Sequence, residues 1–241
     1  LRGSDVTGYL DFAGVATSEA DETLDRLEQL NKSMSTVDLV FETTKILHEG
    51  IAHIDPQDVI DNGLDHYRMS VPATENWVLY LLRFLKPDTY QDYEFCSYRR
   101  AVERGIGRCG QQALAAVSYL QTRGINTGFV ALGGHAIATA EVLPGTWHLL
   151  DPDFGGVIPF GIDVAEKSPA DTLIYYWSTA ATERRLDLAY ATPNRLKLGG
   201  VEARYGRACY IEELAYILKW FVPLLMLIVA TLAMRRQKVL A

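Results

Sequence analysis

GRCGQQALAAVSYLQTRGINTGFVALGGHAIATAEVLPGTWHLLDP, residues 107–152, decides the reading of the chain. It holds a thiol, an imidazole and a carboxylate in the order Cys109, His135, Asp151. These are the parts of a cysteine nucleophile, its general base and the group that orients the base. From Cys109 onward, Ala113, Leu114, Val117 and Leu120 recur at helical spacing, and Arg123-Gly124 is the expected stop. The first N–H groups of a helix have no internal partner and carry partial positive charge, which favours a thiolate placed there. The backbone N–H groups of Cys109 and Gly110 are therefore the candidate oxyanion donors. Gly105, Gly107 and Gly110 leave room for close backbone approach around the thiol. The plain alternative for Cys109 is a buried structural cysteine.

Two strands complete the constellation. Gly128–Leu132 reads as a short buried strand that precedes them. From His135 the chain alternates: Ala136, Ala138, Ala140 and Val142 are small and apolar, while His135, Thr139 and Glu141 are polar. That is a half-buried strand whose alanine row lets a helix pack close, with His135 on the more polar face. Leu143-Pro144-Gly145-Thr146 is a turn, and Trp147–Asp151 is the next strand, stopped by Pro152. A regular two-residue turn pairs Leu143 with Thr146 and hence Ala138 with Asp151, which puts Asp151 on the face opposite His135. A working trio therefore requires an odd-length loop or a β-bulge between His135 and Asp151, setting Ile137 against Asp151. A regular hairpin would instead make Asp153 the next candidate orienter.

The stretch from Tyr98 to Phe160 resembles the transglutaminase-like superfamily of papain-like cysteine enzymes. The resemblance rests on the Gly-x-Cys-Gly helix start, the Leu-x-x-x-Gly-Ile end of that helix at Leu120–Ile125, Gly-His on a strand, and Trp-x-x-x-Asp-Pro. It implies Cys109 as nucleophile, His135 as base and Asp151 as orienter. Ala136 and Ile137 stand where the family has a large aromatic, and Glu103 stands where papain-like enzymes carry a glutamine, so no side-chain oxyanion donor is assigned.

No metal site and no cofactor are expected. His48-Glu49-Gly50-Ile51-Ala52-His53 is one residue too long for a zincin signature, and histidines at i and i+5 of a helix point apart. Asp55-Pro56 reads as a helix start, and Asp151-Pro152-Asp153 lacks the spaced oxygens of a calcium loop. Arg99-Arg100 and Arg184-Arg185 are isolated pairs rather than a nucleic-acid surface.

Ala215–Met234 is 20 residues with a single charge, Lys219. As a helix it is about 30 Å long, the thickness of a bilayer core. Arg235, Arg236 and Lys238 follow, so by the positive-inside rule the tail 235–241 is cytoplasmic and residues 1–214 lie on the other side. Before Leu214 there are 19 basic against 30 acidic residues, a net charge of −11 that argues against nucleic acid as a partner. With Cys109 free, Cys96 and Cys209 are available to pair in an oxidising compartment, two unpaired thiols being the alternative. The chain starts at Leu1, as a processed form or a fragment that has lost an N-terminal signal or span would.

The remainder is mostly helical. Ser18–Met34, with Ser18 as N-cap, then Val37–His48, Pro56–Tyr67 and Thr74–Leu85 show helical spacing. Val157–Phe160 is a further strand, Asp171–Trp177 is ambiguous, and 187–207 reads as irregular. The expectation is an α+β chain: an N-terminal helical region (1–92), a papain/transglutaminase-like core with a Cys-bearing helix on an antiparallel sheet (93–190), a membrane-proximal connector (191–214), a transmembrane helix (215–234) and a cytoplasmic tail (235–241). The expected function is hydrolysis or acyl transfer at an amide of a protein or peptide substrate. The alternative is an inactive binding or scaffold module in a cell-envelope assembly. The N-terminal helices could dock an envelope protein partner, shield the core or gate the cleft, and the sequence does not choose among these.

Overall fold

The structure, a computed structural model, describes residues 18–30, 33–54, 70–177, 185–192 and 194–240. The expected helix start at Asp55 and the helix Pro56–Tyr67 lie outside the described residues. Two compact units divide the chain: Leu1–Arg68 with Glu94–Gly206, and Met69–Tyr93 with Arg207–Ala241.

The first unit is mixed α+β. Helices α1 (Ala20–Gln29) and α2 (Thr36–Gly50) lead into a two-residue strand β1 (Ala52–His53). The N-cap of α1 is Glu19, not Ser18. Ser18 is drawn out of the capping position because its N–H donates to Glu49 O at 3.0 Å and its hydroxyl accepts from Arg26. Helix α1 also stops at Gln29, short of Met34, where Leu30 turns to extended ψ. Ser35 caps α2 by accepting from the Asp38 N–H at 3.1 Å.

In the second unit, α3 (Ala73–Leu85) is followed by a short helical turn at Pro87–Tyr90. The first unit resumes with α4 (Tyr98–Arg104), β2 (Ile106–Gly107) and α5 (Cys109–Thr122). Strand β2 pairs in parallel with β1, Ala52 opposite Ile106 and His53 opposite Gly107. That pairing carries His53 to the approach of the Cys109 helix. Helix α5 ends as its sequence requires: Gly124 takes φ +77°, and the Ile125 and Gly124 N–H groups return to Leu120 O and Gln121 O.

An antiparallel sheet follows, β3 (Thr127–Ala131), β4 (Ala136–Leu143), β5 (Thr146–Asp151) and β6 (Gly156–Ile158). After α6 (Leu186–Tyr190) the chain adds β7 (Arg195–Leu198), giving the order β6-β5-β4-β3-β7. The stretch expected as an irregular connector thus supplies an edge strand, and α7 (Val201–Tyr205) after it. Strand β7 approaches β3 closely because residue 128 is glycine; a Cβ there would sit 2.6 Å from Lys197 O. One sheet face buries Val130, Ile137, Leu149 and Ile158 against Tyr176, Leu186, Ala189 and Tyr190. Ala136, Ala138 and Ala140, which alternate onto the opposite face, are also buried, and α5 packs on β4.

The hairpin register resolves the phase conflict read in the sequence. Leu143 pairs with Thr146 across Pro144-Gly145, but the register shifts between Glu141 and Leu143, so Ala138 faces Leu150 and not Asp151. A bulge at Val142 absorbs the extra residue. Continuing the ladder puts Ile137 opposite Asp151, on the face His135 shares.

In the second unit, α8 runs unbroken from Arg207 to Leu240, enclosing the expected span 215–234. Its most apolar window has a mean hydropathy of 2.2 and no buried residue, so it has the length and composition to cross a membrane. Pro223 lies inside it. A proline has no N–H to offer the carbonyl four residues back, which is Lys219 O. Trp77 Nε1 of α3 donates to that carbonyl at 3.2 Å, satisfying the group that proline leaves open. Lys219 Nζ returns to Glu75 O at 3.1 Å.

Candidate active site

Cys109 is the first residue of α5 and Gly110 the second, and Arg108 before them makes no side-chain cap. Their N–H groups are among those a helix cannot satisfy internally, which suits them to hold a developing negative charge. Gly110 has no room for a side chain: a Cβ would meet the Glu94 carboxylate at 2.3 Å. Cys109 is half-buried and is the free cysteine, Cys96 and Cys209 being disulfide-bonded.

His135 precedes β4 behind Gly133 and Gly134. Gly134 adopts φ +87°, and a Cβ on Gly133 would meet the Thr192 side chain at 2.7 Å. The sharp turn delivers the imidazole to the mouth of the sheet, where it is 9% exposed. Its Nε2 lies 2.8 Å from Asp151 Oδ2. Donor atoms of Cys109, His135 and Asp153 all lie within 4.8 Å of one another. The sequence-selected thiol and imidazole are thus neighbours, and Asp151 occupies the imidazole's other side.

Asp151 is fully buried and saturated with donors. Its Oδ1 accepts the N–H groups of Asp153 and Phe154 at 3.1 and 3.2 Å. Its Oδ2 accepts Tyr176 Oη at 2.9 Å besides the imidazole, and Tyr176 in turn meets Tyr190 Oη at 2.9 Å. Burial alone would push the Asp151 carboxyl upward, but the His135 charge and hydrogen bond, the Phe154 N–H and the Tyr176 hydroxyl bring it below its ordinary value of 3.8. Burial would likewise strip the proton from His135, yet the charge and hydrogen bond of Asp151, helped by Cys109, hold the ring well above its ordinary 6.5. Burial and the neighbouring Asp151 charge push Tyr176 well above its ordinary range, so it remains a donor.

A second carboxylate, Asp153, stands on the Cys109 side. Its Oδ2 is 3.8 Å from His135 Nδ1, while its Oδ1 takes His53 Nδ1 at 2.6 Å and Gln112 Nε2 at 2.9 Å. The i, i+5 spacing argues against His48 and His53 as a ligand pair only if both stand on one helix. The helix ends at Gly50 and His53 sits on β1, so that spacing argument does not govern it. His48 reaches Pro152 O at 2.8 Å, and Phe154 meets the His135 ring edge-on at 5.1 Å. Tyr176 and Tyr190 carry no sequence signal at all; they lie 25 and 39 residues beyond Asp151.

A cleft of about 510 Å³ opens over the thiol, lined by His53, Cys109, His135, Asp153, Phe154, Arg185 and Leu188 among others. The arrangement can transfer a proton between a thiol and an imidazole while an ordered carboxylate stabilises the imidazolium. Compared with protein-family models and with curated proteins, the chain matches none.

Proposed function

We propose that this chain is a membrane-anchored cysteine enzyme of transglutaminase-like type that acts on an amide of a protein or peptide. The observation that carries the reading is a thiol at a helix N-terminus beside an imidazole whose far nitrogen is bonded to a fully buried carboxylate. In this reading His135 Nδ1 already holds the thiol proton as imidazolium, and Cys109 Sγ attacks the amide carbon as the thiolate. The oxyanion is held by the N–H groups of Cys109 and Gly110. His135 returns the proton to the departing amine, leaving a thioester on Cys109. Water or a second amine then takes the acyl group, completing hydrolysis or transfer. Asp151 keeps the imidazole oriented, and the Tyr176–Tyr190 pair keeps Asp151 in place.

The apolar part of α8 serves as a single span in this reading, with Arg235 and Arg236 at its cytoplasmic end and the cleft outside. The disulfide-bonded state of Cys96 and Cys209 fits an oxidising compartment.

Iodoacetamide alkylation of the intact chain, mapped by mass spectrometry, tests the nucleophile, since Cys109 is the free thiol. At neutral pH Cys109 should react faster than a small-molecule thiol, and His135→Ala should slow it by about tenfold or more. Equal rates for the two proteins, both folded by circular dichroism, would remove the basis of the proposal.

A further inference from the structure

We propose that Cys109, His135 and Asp153 form a binding site for a borderline-soft divalent cation, for which Zn²⁺ is the probe. Three observations meet here. The first is convergence: one donor atom from each residue lies within 4.8 Å of the others, and the His135 Nδ1 to Asp153 Oδ2 separation is 3.8 Å. Zinc–ligand bonds of about 2.0–2.3 Å in a tetrahedron place donors roughly 3.3–3.8 Å apart, so the site closes with shifts of about 1 Å or less.

The second is Asp153 Oδ2 itself. Asp153 is 2% exposed, and among the described residues this oxygen accepts no hydrogen bond. Its nearest charged neighbour, His135 Nδ1 at 3.8 Å, lies beyond hydrogen-bond reach; a buried carboxylate oxygen without a hydrogen bond is costly, and a cation at this point satisfies it. The third lies behind the ligands. The His135 nitrogen that faces away is bonded to Asp151, and the other Asp153 oxygen is bonded to His53 and Gln112. Metal-binding histidines and carboxylates are held by such partners, which fix the donor orientation. One thiolate, one imidazole and one carboxylate suit zinc and its neighbours, not the all-oxygen preference of calcium or magnesium. The cleft leaves the fourth position open to water.

The inference does not rest on the nucleophile proposal, because it uses Cys109 and His135 only as ligands. If both hold, a bound cation occupies the sulfur and Nδ1 together and keeps the thiol from attacking, so metal level switches the site off.

The full chain in detergent, stripped with a chelator, is titrated with Zn²⁺ by calorimetry and with Co²⁺ by absorption. One equivalent should bind, and Co²⁺ should give a thiolate-to-cobalt charge-transfer band in the near ultraviolet. Cys109→Ser should abolish that band. Asp153→Asn should weaken Zn²⁺ binding by about tenfold or more, and Asp151→Asn, acting through His135, by about 10- to 100-fold. Absence of saturable binding, a cobalt spectrum without the thiolate band, or unchanged affinity in a folded Asp153→Asn protein overturns the site. Should Asp153→Asn fail to fold, the Cys109→Ser comparison still decides. Fast alkylation of metal-free Cys109 without Zn²⁺ binding overturns this inference and leaves the nucleophile proposal standing. Zn²⁺ binding through Cys109 with slow metal-free alkylation does the reverse.

Discussion

Replacing Asp151 by Asn changes the hydrogen-bonding role of one atom and almost no volume. Asp151 Oδ1 holds two backbone N–H groups, and Oδ2 faces His135 Nε2 and Tyr176 Oη. An asparagine keeps the backbone pair by presenting its carbonyl there, which turns its amide N–H groups toward His135. Two N–H donors cannot face each other, so His135 must give up its Nε2 proton, keep the one on Nδ1 and accept from the amide. Nδ1 is the nitrogen on the side of Asp153, within the cluster that includes the thiol. A neutral ring with its one proton there can neither take the thiol proton nor stabilise the thiolate by charge. Two hydrogen bonds to a charged acceptor, at about 1.5–3 kcal/mol each, give way to neutral ones at about 0.5–1.5 kcal/mol. The unfolding free energy should therefore fall by about 2–3 kcal/mol. The chemical loss is larger in proportion. A wrong-tautomer imidazole costs about 10⁴ in a serine triad, and a thiol, being more acidic, should lose on the order of 10–10² in alkylation rate. The assay is the second-order rate of iodoacetamide alkylation at Cys109 at pH 7 in metal-free protein, with nitrogen-edited NMR of the His135 ring to read its tautomer. An alkylation rate within about twofold of wild type, or an Nε2–H tautomer retained in the variant, would refute the orienting role.

Further outcomes follow from the same geometry. His135 is raised above its ordinary pKa, so its stabilising contribution is full below about pH 6.5 and is lost as pH rises through its folded value. Asp151 is lowered, so its contribution is present above about pH 3.9 and is lost as pH falls through its folded value. The wild-type minus Asp151→Asn difference in unfolding free energy should therefore peak between about pH 4 and 6.5 in urea titrations; a difference that keeps growing above pH 8 contradicts it. Gly128→Ala places a Cβ 2.6 Å from Lys197 O, a backbone atom that cannot rotate away, and should cost about 1–3 kcal/mol with faster hydrogen exchange along β3 and β7. Unchanged exchange there would show that the edge pairing does not depend on this glycine. Protease added to intact cells, or to spheroplasts where an outer membrane exists, should digest the α+β unit and spare residues 235–241. Digestion only after lysis would reverse the proposed orientation.

Much of the site was legible because its signals are local. A 3.6-residue period headed by Cys109, and a period of two around Ala136–Ala140, locate the helix start and the strands without knowledge of the fold. Parity alone demanded the displaced register that the bulge at Val142 supplies, since side chains on a strand have only two faces. The 20 nearly uncharged residues before Arg235 needed no context to read as a membrane-length helix. What the sequence could not contain is the identity of partners that have no period. His53 meets Asp153 across 100 residues because β1 pairs with β2, and Tyr176 reaches Asp151 because the chain after β6 folds back over the sheet. Strand β7 was hidden because an exposed four-residue edge strand has neither the alternation nor the length that marks a buried one. Pro223 announces an open carbonyl at Lys219, but only the packing of α3 on α8 decides that Trp77 fills it. Local periodicity fixes where a donor or acceptor stands along its own element; which group satisfies it depends on chain closure over long loops, and that is settled only when the elements pack.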